Sequence, residues 1–187
     1  MAPLKKICAL LLCALLVAGQ PTAGMTAAAS VTEPQVKAVF VFNFSHFVEW
    51  PADAFATPTA PFVIGVLSGE ALATQLEVAI RGEHVAQHPL QVRRLSDIAD
   101  VGDCHILYID KSAGAQLASI LAALNGRRTL TVSDLDGASQ RGVMIQLATE
   151  SNRIRLMINV ESARDAGLTI SSNLLRPAQI VRTSGGP

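Results

Sequence analysis

Apolar and polar positions follow two different periods along the chain. Residues 34–50 begin with a proline and carry apolar side chains at helical spacing, so they predict a largely buried first helix that stops at Trp50 and Pro51. Short apolar runs then alternate with stretches of helical period. The predicted strands are residues 62–67, 90–95, 104–109 and 129–132, and the predicted helices are residues 71–80, 96–100 and 113–124. This alternation favours a mainly parallel sheet with helices on both faces.

The pattern changes after Gly142. Residues 143–148 and 153–160 predict two strands joined by a polar turn, an antiparallel hairpin that extends the sheet. A helix over residues 161–166, an amphipathic helix over 172–181 and a disordered tail over 183–187 follow. The expected fold class is α/β: a single-domain layered sandwich over residues 30–182, with a mainly parallel sheet extended by an antiparallel hairpin.

The first 29 residues have the three-part order of a secretory signal peptide. Lys5 and Lys6 precede an uncharged apolar run over residues 7–19, and small residues follow up to Ser30. As a helix at about 1.5 Å per residue, the run is about 20 Å long, which is too short for a hydrocarbon core of about 30 Å. The sequence therefore predicts export from the cytoplasm, with cleavage near residue 29 or after Gly19 or Ala23.

The charge balance argues against a nucleic-acid-binding protein. Residues 30–187 hold 13 Lys and Arg against 15 Asp and Glu, whereas such proteins normally carry a basic excess.

Cysteine usage excludes an intrachain disulfide outside the leader. Cys8 and Cys13 lie within the predicted signal peptide, and Cys104 is the only cysteine after it. Cys104 precedes an apolar run, which is typical of a buried thiol in the core. A reactive or intermolecular thiol is the alternative.

Seven of the eight aromatic residues lie between positions 40 and 62. One interpretation is an aromatic pocket near the end of the first helix, formed by Phe47, Trp50 and Phe55. The other is that this helix is simply the centre of the core, since apolar stripes at helical spacing usually face inward.

Catalytic and metal-binding motifs are weak. His84 and His88 are four residues apart but are bracketed by Gly82 and Pro89 with no third ligand nearby, and His46 and His105 are isolated. Neither a nucleophile elbow nor a nucleotide-binding glycine motif is present. The sequence predicts a binding protein without catalytic residues, cofactor or metal.

Two turns at strand ends have weak ligand-binding potential. The stretch 68–70 places backbone N–H groups at a helix start, where an anion can bind. Asp134 and Asp136 follow a predicted strand and are capable of chelating a cation. Solvated turns are the commoner explanation for both.

Several stretches together resemble the YfiR family of periplasmic proteins. The match runs from about Pro34 to Val181. It is carried by KAVFVFNF (37–44), FVEWP (47–51), CHILYI (104–109), LTVSD (130–134), INV (158–160) and ISSNLL (170–175).

The resemblance implies a periplasmic binding protein. Family members inhibit an inner-membrane diguanylate cyclase by binding its periplasmic sensor domain, which lowers the synthesis of cyclic-di-GMP. Related domains form the sensory part of membrane histidine kinases. Redox-responsive members carry paired cysteines, so that form of sensing does not transfer to this chain.

The segment after the last predicted strand mixes charged and apolar side chains, as an interface does. The predicted partner-binding residues are Glu161, Arg164, Leu168, Leu174 and Leu175. The alternative is that this segment only packs on the sheet.

Two other functions stay open: a small-ligand receptor that uses the aromatic pocket, and an enzyme of a type without a recognisable motif. The expected partner is the periplasmic domain of a membrane cyclase or kinase, with contact to the membrane only through that partner. A homodimer is also expected, because two-fold dimers are the commonest oligomers.

Overall fold

The computed structural model describes residues 31–151 and 153–184, and the chain from Val31 onward forms one compact unit. The predicted signal peptide lies outside the described residues. Within them there are five α-helices: α1 (Glu33–Phe47), α2 (Glu70–Ala79), α3 (Leu117–Ala123), α4 (Val160–Asp165) and α5 (Ser172–Leu175). Short 3-10 helices cover Ala52–Ala54, Ile98–Val101, Lys111–Gln116 and Ser139–Arg141.

Ten strands complete the described residues. They are β1 (Val48–Glu49), β2 (Phe62–Leu67), β3 (His84–Val85), β4 (His88–Leu95), β5 (Ile106–Ile109), β6 (Leu130–Ser133), β7 (Ile145–Glu150), β8 (Arg153–Asn159), β9 (Thr169–Ile170) and β10 (Gln179–Val181).

Eight of these strands form one sheet in the order β10-β8-β7-β6-β5-β2-β4-β3. The central strands β4, β2, β5, β6 and β7 are parallel, whereas β7 and β8 form an antiparallel hairpin. The chain moves from β2 to β4 on one side and then returns to β5 on the other. The α/β class, the parallel sheet and the antiparallel hairpin are confirmed.

Helices cover both faces of the sheet, as expected. Successive strand side chains point to opposite faces, so Phe62, Ile64 and Val66 of β2 join the core beneath α1 and α2. The intervening Val63 and Leu67 join a smaller core with α3.

The first helix is stabilised at its start and ends three residues before the predicted stop at Trp50 and Pro51, because Val48–Glu49 forms a strand. The Gln35 side chain accepts a 2.8 Å hydrogen bond from the Thr32 N–H, which satisfies one unpaired donor before the helix. The helix ends at Phe47, and β1 pairs antiparallel with β9 to form a small separate sheet.

The predicted amphipathic helix over 172–181 is wrong. Only Ser172–Leu175 is helical, and Gln179–Val181 forms β10, which pairs parallel with β8 at the sheet edge. Pro177 lies between them; it lacks the N–H that a continuing helix needs.

The chain also stays hydrogen-bonded further than expected. Thr183 accepts from the Asn159 side chain at 2.9 Å, and the Ser184 N–H donates to the Gln140 carbonyl at 2.8 Å. The first two residues assigned to the disordered tail are therefore attached to the domain.

Candidate functional site

The parallel central strands create two chemically different edges. Phe62, His88 and His105 lie at or just before the starts of β2, β4 and β5, which we call the amino edge. Asp110 and Asp134 directly follow β5 and β6 and lie at the carboxyl edge. Each edge holds a cluster of interacting side chains.

The amino edge holds a cluster of rings that we call the histidine–aromatic cluster. Its members are Trp50, Phe55, Phe62, His88 and His105. The Phe55 ring stacks on His88 with centroids 3.9 Å apart and on His105 at 4.5 Å. Phe62 also stacks on His105, at 4.7 Å, and Trp50 packs edge-on against Phe62 at 4.8 Å. Stacked and edge-on ring pairs add stability beyond the apolar area that they bury.

The aromatic pocket predicted from the sequence consists of Phe47, Trp50 and Phe55. Trp50 and Phe55 are half-buried and pack against other rings of the cluster. Together with Phe47 they also pack against the core beneath α1 and α2. All three predicted residues therefore lie against the same core, and Trp50 and Phe55 also belong to the histidine–aromatic cluster. Ligand binding by these rings stays a prediction.

His105 is a buried imidazole with an unusual hydrogen-bond pattern. Its side chain is 4% exposed, and its Nδ1 accepts a 3.1 Å hydrogen bond from the Val63 N–H. Its Nε2 has no hydrogen-bond partner among the described residues. Burial lowers the pKa of His105, and the neighbouring His88 lowers it further. His105 is therefore held neutral.

His84 and His88 lie in the short β3–β4 hairpin and not on a helix. The His88 Nδ1 donates to the Ala60 carbonyl at 2.7 Å, and His84 is exposed. In the part of the chain that the structure describes, no group of three or more His, Cys, Asp or Glu side chains is placed to hold a metal ion.

The carboxyl edge holds a buried lysine. Lys37 of α1 is 6% exposed, and its Nζ lies 2.6 Å from the Asp134 carboxylate and 2.6 Å from that of Glu33. Burial alone would lower the pKa of Lys37, but hydrogen bonds to the two carboxylates outweigh burial and raise it. Asp134 also accepts the Lys111 N–H at 2.9 Å. Asp134 is thus committed to protein donors, whereas Asp136, the other candidate cation ligand, is exposed.

A crevice of about 290 Å³ at the ends of β2 and β5 is lined by Glu33, Lys37, Lys111 and Asp134, among others. The chain order reverses there, the position at which open α/β sheets usually bind ligands. Ser68, before α2, has a left-handed φ of 62° and lines the crevice with Tyr108. Burial raises the pKa of Tyr108, and the Asp134 carboxylate adds to the effect, so its hydroxyl stays protonated.

Cys104 is a buried free thiol. It is 3% exposed, and burial raises its pKa. A Cβ added at Gly65 would lie 2.7 Å from its Sγ, which shows how tightly the thiol packs under β2. A thiol held protonated and away from solvent is a poor nucleophile.

The predicted partner-binding residues divide into two groups. Leu168 and Leu174 are core residues, 4% and 7% exposed. Glu161 and Arg164 are exposed on α4, and Leu175 is half-buried.

The surface beside these three includes residues that sequence reasoning missed. Arg182 pairs with Glu161 at 3.4 Å, and Ile180 on β10 is 53% exposed. A groove of about 410 Å³ lies at Pro177–Gln179, against β8 and Phe40. The wrong helix assignment over 172–181 concealed this edge.

No helix of the described residues has both the length and the apolar character needed to cross a membrane.

Comparisons with known proteins give a family and a fold. A conserved domain protein from Vibrio cholerae O1 biovar El Tor has a similar fold, with a TM-score of 0.54 and 15% sequence identity. The similarity covers 80% of this chain and 60% of that one. Among the curated proteins, none matches this sequence. The model of the YfiR/HmsC-like family matches residues 34–179, most of the chain. The chain therefore belongs to the YfiR/HmsC-like family.

Proposed function

We propose that this protein is a periplasmic regulator that restrains a membrane-bound diguanylate cyclase by binding its periplasmic sensor domain. The observation that carries the proposal is the family match over residues 34–179. The leader-like pattern of the first 29 residues supports export.

An inhibitor of this kind needs no catalytic residues. If it binds the inactive state of the cyclase more tightly than the active state, it shifts the equilibrium by that difference in affinity. The amount of cyclic-di-GMP made in the cytoplasm then falls, although the inhibitor never meets the nucleotide.

The contact surface in this proposal is the exposed part of the C-terminal region. Glu161, Arg164 and Leu175 lie on it, and we add Ile180 and Arg182 at the neighbouring sheet edge. An exposed apolar side chain flanked by charges fits the common pattern of an apolar contact with a polar rim. Leu168 and Leu174 support this surface from beneath.

The test is the cyclic-di-GMP content of cells that contain or lack the gene. Deletion should raise it, and restoring the full chain should lower it again. A chain without residues 1–29 should fail to restore it, because that protein would remain in the cytoplasm. Unchanged cyclic-di-GMP under several growth conditions would contradict the proposal.

Surface variants then locate the contact. Ile180→Asp and Arg164→Glu should abolish restoration while the purified proteins keep the wild-type melting temperature. Val78→Asp and Arg81→Glu are matched controls, because they change an exposed valine of α2 and an exposed arginine just after that helix. Equal effects of both pairs would argue against the C-terminal surface.

A second candidate function is a small-ligand receptor, which is favoured by the polar crevice at the carboxyl edge. Its ligand should raise the melting temperature of the wild-type protein. Ala71→Phe should remove this shift because Ala71 lines the crevice, and Ala118→Phe on α3 is the control at an exposed alanine. A flat response across a metabolite panel would rule against this function.

A further inference from the structure

Residues 51–60 form a connection, which we call the strap, that is held against the amino edge by two histidines. Phe55 stacks on His88 and on His105. The Ala60 carbonyl accepts the His88 Nδ1 hydrogen bond of 2.7 Å. Both contacts depend on the positions of the two imidazoles, and the exposed Asp53–Arg128 ion pair is a further contact of the strap.

The two histidines differ in which ring nitrogen carries the proton of the neutral ring. The Val63 N–H donates to the His105 Nδ1, so the neutral His105 ring carries its proton on Nε2. In His88, Nδ1 donates to a carbonyl and is already protonated. A second proton on His105 therefore goes to Nδ1, the atom that accepts the Val63 N–H.

Protonation of His105 is incompatible with the packed cluster. The new Nδ1–H would face the Val63 N–H, so a hydrogen bond would be replaced by two opposed donors. It would also place a positive charge on a side chain that is 4% exposed and surrounded by rings. The hydrogen bond of His88 to the strap, in contrast, uses an Nδ1–H that is already present.

The charged groups near His105 offer little compensation. The titratable groups around it are His88 on β4, Asp103 before β5, and the Asp53–Arg128 ion pair beside Trp50. Asp103 favours the charged form of His105, as does the nearby Ala54 carbonyl, but burial and His88 outweigh them.

The strap is the element that moves most easily. Phe62, His88 and His105 belong to or adjoin sheet strands, whereas the strap contains only the 3-10 turn Ala52–Ala54 and is mostly exposed. Segments with few buried contacts open at the lowest free energy. Opening the strap would let water reach the imidazolium while the sheet stays folded.

We propose that the strap is a pH-operated cover: protonation of His105 in acid releases residues 51–60 and exposes the rings of the amino edge. The inference goes beyond the proposed function and does not depend on it. A protein outside the cytoplasm would meet such changes in pH directly.

The experiment compares the purified wild-type protein with His105→Asn between pH 8 and pH 4.5. Asparagine does not titrate, and its side-chain oxygen is placed to accept the Val63 N–H. His84→Gln is the control, since His84 is exposed and outside the cluster. The readouts are hydrogen-exchange protection factors of residues 52–60 and the fluorescence of Trp50, the only tryptophan. Far-UV circular dichroism monitors the fold.

In the wild-type and His84→Gln proteins, strap protection factors should fall by up to about tenfold per pH unit below about pH 6.5. Trp50 emission should change over the same range, while β2 stays protected and circular dichroism is constant. The His105→Asn protein should show neither change.

Two results would overturn the proposal. One is the same pH-dependent loss of strap protection in His105→Asn. The other is loss of protection in the strap and in β2 at the same pH, which is global unfolding. If His105→Asn does not fold, the wild-type protein alone tests the proposal. Loss of strap protection at a higher pH than loss of β2 protection supports it, and simultaneous loss overturns it.

Discussion

The amino and carboxyl edges of the central strands bury ionisable groups in opposite ways. At the carboxyl edge, Lys37 is charged and lies within hydrogen-bond distance of two carboxylates. At the amino edge, His105 is neutral, lies among aromatic rings and leaves Nε2 without a partner among the described residues. A buried charge needs its partner, whereas a buried neutral imidazole needs to stay neutral. The stability of the carboxyl edge should therefore depend mainly on whether each charge keeps its partner. The stability of the amino edge should depend mainly on pH.

The largest expected loss of stability comes from breaking the Lys37–Asp134 pair at the carboxyl edge. Lys37→Met leaves the Asp134 side chain, which is 5% exposed, without its cation. Removal of one partner from a buried pair should lower the free energy of unfolding by about 3–5 kcal/mol, measured by urea denaturation. The double variant Lys37→Met/Asp134→Asn should recover much of the loss, since an amide still accepts the Lys111 N–H. A single-variant loss below about 1 kcal/mol would contradict the importance of the pair.

The next effect comes from removing the ring that covers the amino edge. Phe55→Ala loses the stacking on both histidines and part of the buried apolar area, so the free energy of unfolding should fall by about 2 kcal/mol. The variant should also show a weaker dependence on pH, because His105 becomes hydrated in the folded state. An unchanged pH dependence would mean that Phe55 does not shield His105.

A smaller effect is the dependence of the free energy of unfolding on pH, which should come from His105 at the amino edge. The pKa of His105 is lowered in the folded protein, so in acid the unfolded chain binds a proton that the folded chain does not. Below about pH 6.5 this should reduce the free energy of unfolding by up to about 1.4 kcal/mol per pH unit, until the folded-state pKa is reached. Urea denaturation of the wild-type and His105→Asn proteins from pH 8 to 5 measures the difference. If the free energy of unfolding falls with pH in the same way in both proteins, His105 is not the source of the pH dependence.

The smallest effect should come from the surface ion pair at the amino edge. Asp53 and Arg128 lie 3.2 Å apart, with side chains 66% and 43% exposed. Asp53→Asn should change the free energy of unfolding by only about 0.2–1 kcal/mol, less in high salt. A loss as large as that of Lys37→Met would show that charge pairing governs both edges.

Much of the fold could be predicted because its signals are local. The stretch 62–67 is buried along its whole length and is a strand over the same residues, since a short apolar run bounded by turns favours a central strand. The polar stretch 149–152 likewise predicted the hairpin of β7 and β8, although β7 runs on through Glu150. The helix prediction for 172–181 failed although the apolar spacing fits a helix. Pro177 interrupts the helix, and the residues after it pair with β8 as a strand.

The candidate sites could be predicted only in part. The sequence located an aromatic-rich stretch and a charged C-terminal segment, but it did not show which apolar residues would be exposed. Leu168 and Ile180 look alike in sequence, yet one is 4% and the other 53% exposed. Exposure depends on which element lies over a residue, and a strand at the sheet edge leaves one side uncovered.

By itself, the sequence determined the α/β class, the order of most elements, the buried character of Cys104 and the family to which the chain belongs. These follow from periodicity, turn residues and short motifs, which act over a few residues. Only the tertiary structure decided that Lys37 meets Asp134, 97 residues away, and that Phe55 stacks on both His88 and His105. Such pairs are set by strand order and register, because parallel strands bring residues far apart in the chain to the same edge.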